Sequence, residues 1–199
     1  MINSTAPVLD RNMFFVKEHV GMFKAANNFD IHDPETNEIL LECREDDLGF
    51  FTKMLRFTDY KRMTPFNVEI KEPNGKTLIR VSRGVSFFRS VVEVFDENNT
   101  LIGKFRQRML SIGGKFDVLT PDDQVICQLK GKWSSWEFRF EKEGNELAMV
   151  SKKWAGIGKE LFTTADNYML TINDNVPSGH VARKLILAAV MCIDMVLKE

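Results

Sequence analysis

The strongest constraint on this chain is its last segment. From Leu185 to Leu197, thirteen residues contain one polar side chain, Asp194. Its Ala, Leu and Met residues are strong helix formers, and Pro177 and Ser178 just upstream are start signals. A helix is therefore expected over about residues 180–198. A helix that is apolar on every face must be buried, in protein or in lipid. Thirteen helical residues span roughly 20 Å, whereas a bilayer core needs about 30 Å and some 20 apolar residues. A short C-terminal anchor stays open as an alternative, but length favours a core helix. One sheet face would cover one side of such a helix; a closed barrel would cover all of it.

The rest of the chain supplies the staves. In Trp136-Glu137-Phe138-Arg139-Phe140-Glu141 aromatic and charged residues alternate, the period of a half-buried strand. Polar turn residues follow at Glu143-Gly144-Asn145, then a second run from Leu147 to Ser151. The same unit recurs around Pro34, around Asn74-Gly75, around Asn98-Asn99 and around Asp122-Asp123. Asn-Gly is a strong hairpin signal because both residues tolerate positive φ. A sixth hairpin is expected from Glu160–Thr163 into Tyr168–Ile172, and a short strand is expected at Met13–Val16. The six hairpins make about twelve strands. Eleven-stranded cans enclose a central helix, while eight strands leave room for side chains alone. The fold class expected is mainly β: a closed antiparallel barrel of about twelve strands around a central hydrophobic C-terminal helix. Residues 1–11 are expected to be an N-terminal tail and 12–199 a single domain.

Charge is unevenly distributed along the chain. Residues 1–50 carry four Lys/Arg against ten Asp/Glu, and residues 51–115 carry thirteen against six. A basic middle third can present one face to an anionic surface; alternatively, a sheet interleaves distant segments and mixes the charges in space. Three scattered cysteines, Cys43, Cys127 and Cys192, fit neither a disulfide framework nor a zinc ribbon and point to a reducing compartment. Met1 to Asp10 has no basic and apolar leader pattern, so a cytoplasmic protein is expected.

Two segments are candidate contact surfaces. Between Leu48 and Met63, Phe50, Phe51 and Phe57 alternate with Lys53 and Arg56, the composition of an interfacial helix or of an amphipathic connector packed on the barrel end. In Lys104-x-Arg106-x-Arg108 three cations share one strand face, about 6.8 Å apart per pair, with Arg80 and Arg83 nearby in sequence. Enzyme signatures are missing: His19, His32 and His180 lack metal-ligand spacing, and there is no nucleophile elbow, P-loop or dinucleotide fingerprint. No enzyme activity is expected. Nucleic acid is not an expected partner, because the net charge is −1 and no nucleic-acid module is present.

Trp154-x-Gly156, then Glu160-Leu161-Phe162-Thr163-Thr164-Ala165-Asp166-Asn167-Tyr168, then an apolar helix with Ile193-Asp194, resembles the phospholipid scramblase family. It looks most like the bacterial scramblase-related proteins of the Tubby C-terminal-like superfamily, which also holds the plant LURP-one-related proteins. The resemblance runs from about Asn12 to Glu199. It implies a twelve-stranded barrel around a central helix, and movement of phospholipids between leaflets at the inner face of a membrane. By the same resemblance, anionic phospholipid is the expected partner, with Arg80, Arg83, Lys104, Arg106 and Arg108 on lipid phosphates and Phe50, Phe51, Lys53, Arg56 and Phe57 on the membrane. Calcium is the cofactor the family implies, here falling on Asp166, Asn167 and Asp174. Thr164 and Met169 stand where the family's calcium segment has an acidic residue and a glycine. The other reading is a soluble scaffold that binds a protein partner on the barrel exterior.

Overall fold

Twelve strands close on themselves in the order β1-β12-β11-β10-β9-β8-β7-β6-β5-β4-β3-β2, every neighbouring pair antiparallel. The computed structural model describes residues 8–19, 28–45, 64–85, 90–108, 115–132, 135–152 and 167–197. The strands are β1 Met13–Glu18, β2 Phe29–His32, β3 Ile39–Glu45, β4 Phe66–Lys71, β5 Thr77–Arg83, β6 Val91–Asp96, β7 Leu101–Gln107, β8 Lys115–Leu119, β9 Val125–Lys132, β10 Glu137–Lys142, β11 Asn145–Ser151 and β12 Asn167–Ile172. One α-helix, Val181–Leu197, follows. The closed twelve-stranded barrel and the C-terminal helix are as the alternating pattern and the apolar tail dictate.

Alternation aims one set of side chains at the lumen. Phe66, Val68 and Ile70 on β4 and Phe138 and Phe140 on β10 are buried, while Glu69 and Arg139 between them face outward. The helix fills the space these faces leave. Leu185, Ile186, Leu187, Ala188, Ala189, Val190, Met191, Cys192 and Ile193 are each at most 2 % exposed, on consecutive positions and therefore on every face of the helix. It packs against β5, β6 and β7 and also against β12. β12 and β6 lie six staves apart in a ring of twelve, so the helix touches opposite walls and runs through the middle.

The twelfth stave differs from expectation. β12 bonds β11 along one edge and β1 along the other, with Val16 opposite Tyr168. Both edges are taken among the described residues, and the expected partner Glu160–Thr163 lies outside them. The short strand expected at Met13–Val16 is β1, Met13–Glu18, a full stave that closes the barrel. One of its neighbours, β2, is close in sequence, but the other, β12, lies about 150 residues away, where local hairpin logic has no reach.

Five tight turns join β2–β3, β4–β5, β6–β7, β8–β9 and β10–β11 at one end of the barrel. They use the chemistry read from the sequence: Asn37, Asn99 and Asp123 sit at φ near +60°, and Glu143 and Gly144 both take positive φ, as a two-residue hairpin loop demands. Because strands alternate in direction, all the longer connections fall at the other end.

The helix enters at the tight-turn end. The Ala182 N–H donates to His180 Nδ1 at 3.1 Å, so His180 is the N-cap. Arg183 is 3 % exposed and donates to the carbonyls of Leu9, Val176 and Arg11 and to Asn12 Oδ1 at 2.6–2.8 Å. One guanidinium thus ties the helix start to residues 9–12. Replacing it with Met would strand four acceptors, each charge-assisted bond contributing about 1.5–3 kcal/mol. Arg183→Met is therefore expected to cost several kcal/mol of unfolding free energy in a urea titration; an unchanged midpoint would mean the segment 9–12 contributes nothing to helix docking.

At Gly103 on β7 the helix comes close to the wall. A Cβ there would lie 2.8 Å from both the Leu119 carbonyl oxygen and Leu185 Cδ2. Gly103→Ala is expected to destabilise by about 1–3 kcal/mol through overpacking, read as a lower denaturation midpoint at constant m-value. A wild-type midpoint would refute this close approach.

Candidate functional site

The basic residues of β7 stand on the outside of the barrel. Lys104, Arg106 and Arg108 alternate with the buried Gly103 and Phe105, so the period that packs Phe105 into the core sends the three cations to solvent. Pairing extends the face. Arg106 lies opposite Asp117 of β8, and Lys115 lies opposite Lys130 of β9. Lys104 Nζ is 3.1 Å from Asp123 Oδ1, Arg108 Nε is 4.0 Å from Asp117 Oδ1, and Lys130 Nζ is 2.9 Å from Glu141 Oε2. The side chains of Arg106 and Lys115 have no hydrogen-bond or ion-pair partner among the described residues. Exposed ion pairs of this kind contribute little energy and can be exchanged for an anionic ligand. Lys115 and Lys130 were not picked out from the sequence; the register of the β8–β9 hairpin, centred on Pro121-Asp122-Asp123, would have placed them side by side.

The other cations singled out in sequence do not join this face. Arg80 is half-buried on the outside of β5, its guanidinium carbon 4.7 Å from the Phe95 ring centroid and its Nη2 bonded to Asn99 Oδ1. Arg83 is on the opposite face of the same strand, in phase with Ile79 and Val81, and is 3 % exposed. Its Nη2 donates to the Thr64 carbonyl at 2.7 Å and its guanidinium lies 4.8 Å from the Phe66 ring centroid. A spacing of three residues puts Arg80 and Arg83 on different sides of a strand, and this separates them here. Phe50, Phe51, Lys53, Arg56 and Phe57 lie outside the described residues.

Of the residues on which the calcium expectation falls, Asn167 and Asp174 are not brought together. Asp166 lies outside the described residues. Asn167 opens β12 and is buried, whereas Asp174 lies past its other end, exposed, accepting from Asn12 Nδ2 at 2.6 Å. The strand between them spans about 17 Å. Calcium needs six to eight oxygens at 2.3–2.6 Å, so these residues do not make one coordination sphere, and among the described residues no group of three His, Cys, Asp or Glu side chains is arranged to hold a metal.

At the end with the longer connections, Lys152 Nζ sits 3.7 Å from the Trp136 ring centroid and 5.4 Å from that of Tyr168. Trp136 holds φ +49°, a left-handed conformation that is rare for so bulky a residue. All three cysteines are buried and free of disulfides. Burial pushes the thiols of Cys43 and Cys192 well up and that of Cys127 up to about 12. They are expected to stay silent to a thiol reagent in the native protein and to react, all three, once it is unfolded; a fast native thiol would show that the barrel wall opens.

A closed barrel of twelve antiparallel strands wrapped around its own C-terminal helix is consistent with a Tubby-like fold. Within it, the chain belongs to the scramblase family, whose pattern matches residues 8–199. A curated relative from Saccharomyces cerevisiae, altered inheritance rate of mitochondria protein 25, is 21 % identical over 196 residues, covering 85 % of this chain and 59 % of its own. A phospholipid scramblase family protein of Schizosaccharomyces pombe is 21 % identical over 202 residues, covering 92 % of this chain and 52 % of its own. The chain thus spans little more than half the length of these relatives. A solved structure of an Arabidopsis thaliana protein is 15 % identical, covers 91 % of this chain and 92 % of its own, and superposes with a TM-score of 0.48. No helix among the described residues is long and apolar enough to cross a membrane.

Proposed function

We propose that this scramblase-family barrel binds anionic phospholipid, peripherally at the inner face of a membrane, through the outward cations of β7–β9. The observation that carries the reading is the row Lys104, Arg106 and Arg108, widened by Lys115 and Lys130. Guanidinium and ammonium groups on a rigid strand match lipid phosphates without a pocket. Each is worth about 1 kcal/mol near an anionic surface. The segment holding Phe50, Phe51, Lys53, Arg56 and Phe57 joins β3 to β4 and is the proposed apolar contact. Because the helix fills the lumen, a lipid that changes leaflet with the help of this protein travels along the barrel exterior. Co-sedimentation with neutral and with phosphatidylserine-containing vesicles at low salt tests binding: recovery should rise with anionic content and fall with salt. Equal recovery on both would dismiss the electrostatic reading, and salt-insensitive capture of a protein instead of lipid would favour a scaffold. Lipid translocation is read separately, by dithionite quenching of labelled lipid in reconstituted vesicles with and without calcium.

A further inference from the structure

Charge in this barrel is sorted along its axis as well as around it. The five tight turns and the link from β12 to the helix, residues 33–38, 72–76, 97–100, 120–124, 143–144 and 173–180, carry nine Asp/Glu and one Lys. No aromatic residue occurs in any of them. Arg11 pairs with Asp33 and Lys184 with Glu97 at this end, which leaves the pole acidic. The outward cations of the β7–β8 face lie toward the other pole. Arg106 is one residue from the end of β7, Arg108 follows that strand, and Lys115 opens β8. Across the barrel, at the same pole, His19, Asp30, Glu42 and Arg44 of the β1–β3 wall are engaged with one another.

Distance gives this sorting a consequence. The strands separate the two poles by about 20 Å, twice the roughly 8–10 Å over which physiological salt screens a charge. An acidic pole pointing away from an anionic surface is therefore almost unseen by it. The same pole brought to the surface, or laid along it, is repelled. Resting on the lipid-binding reading above, we infer that the barrel docks end-on to an anionic bilayer: the pole of Arg106, Arg108 and Lys115 faces the lipid and the five tight turns face away. Docking along the whole length of β7 is disfavoured because that wall ends in Asp96, Glu97, Asp122 and Asp123.

The buried cysteines make a test direct, since a single new surface thiol can be labelled in the full chain. Val85→Cys, at a 60 % exposed position beyond β5, marks the basic pole. Asn98→Cys, in the exposed β6–β7 turn, marks the acidic pole on the same side of the barrel. Each variant is labelled with an environment-sensitive fluorophore and mixed with vesicles of phosphatidylcholine containing phosphatidylserine. The label at residue 85 should shift to the blue and lose quenching by aqueous iodide, while the label at residue 98 keeps its free-protein emission and quenching. Shifts at both positions would mean side-on docking, and a shift at 98 alone the reverse orientation; either overturns the inference while leaving lipid binding intact. Failure of both labelled proteins and of the unmodified chain to co-sediment would overturn the binding reading, and the orientation with it.

Discussion

Removal of residues 185–199 is expected to leave a chain that does not fold cooperatively. Seven large apolar side chains of the helix, Leu185, Ile186, Leu187, Val190, Met191, Ile193 and Met195, are at most 2 % exposed. At about 1.5–3 kcal/mol for each buried side chain their burial is worth on the order of 10–20 kcal/mol. A compact denatured state trims that by roughly 10–40 %. The remainder still matches the about 5–15 kcal/mol by which a whole domain is stable. The deletion also empties a lumen that no other described element enters, and the strand faces around it carry Phe66, Phe105, Phe116, Phe138 and Phe140, which would then face water or collapse. The expected readout is strong dye binding, a broad urea transition and aggregation. A point variant separates loss of the plug from failure to express. Ala189→Asp places a carboxylate at a position with no exposure, where an unpaired charge is not tolerated, and should abolish the sharp transition in the full-length chain. A soluble deletion variant with a single sharp melt would show that the helix is an appendage, and the account of the fold would fall with it.

Legibility in the sequence followed the range of the physics. The helix was readable because its burial is a property of thirteen consecutive residues. The five hairpins were readable because turn residues and alternation are local: Asn74-Gly75 and Glu143-Gly144 fix both a turn and its register. β1 was half-legible, a run of Met13-Phe14-Phe15-Val16 with one near partner, β2, and one distant one, β12. The basic row on β7 was legible as a period of two. Its extension to Lys115 and Lys130 was not, since that depends on which residues stand opposite one another. Arg83 was counted with the surface cations by proximity in sequence, although three residues along a strand reverse the face. Asp174 was joined to Asp166 and Asn167 by a family pattern, and the straight run of β12 separates Asn167 from Asp174. The axial sorting of charge was invisible as a sequence property: the acidic turns are scattered from residue 33 to residue 180, and only the alternating direction of the strands gathers them at one pole.

Neutralising three cations should weaken vesicle binding far more than it weakens the fold. In the variant Arg106→Gln, Arg108→Gln, Lys115→Gln the charges lost are the outward ones nearest the basic pole. At about 1 kcal/mol per Lys or Arg close to an anionic leaflet the triple change costs about 3 kcal/mol of binding free energy, a fall in affinity of roughly 150-fold. Stability should hardly move. Arg106 and Lys115 make no ion pair among the described residues, and the Arg108–Asp117 contact is 4.0 Å long on the surface, a pair worth about 0–1 kcal/mol. The two terms therefore separate in one protein: an unchanged urea midpoint with affinity for phosphatidylserine vesicles nearly gone. Salt provides the internal control. Near 1 M, where the screening length is about 3 Å, wild type and variant should bind equally poorly, since the interaction removed is the one salt removes. Charge-matched changes at the acidic pole, Glu35→Gln with Asp122→Asn and Glu143→Gln at exposed turn positions, should leave affinity unchanged, because that pole lies about two screening lengths from the lipid when the barrel stands on its other end. If the triple variant binds as wild type does, the cations of β7 and β8 are solvated ornament on a barrel wall, and the membrane contact, if one exists, is made through apolar residues alone.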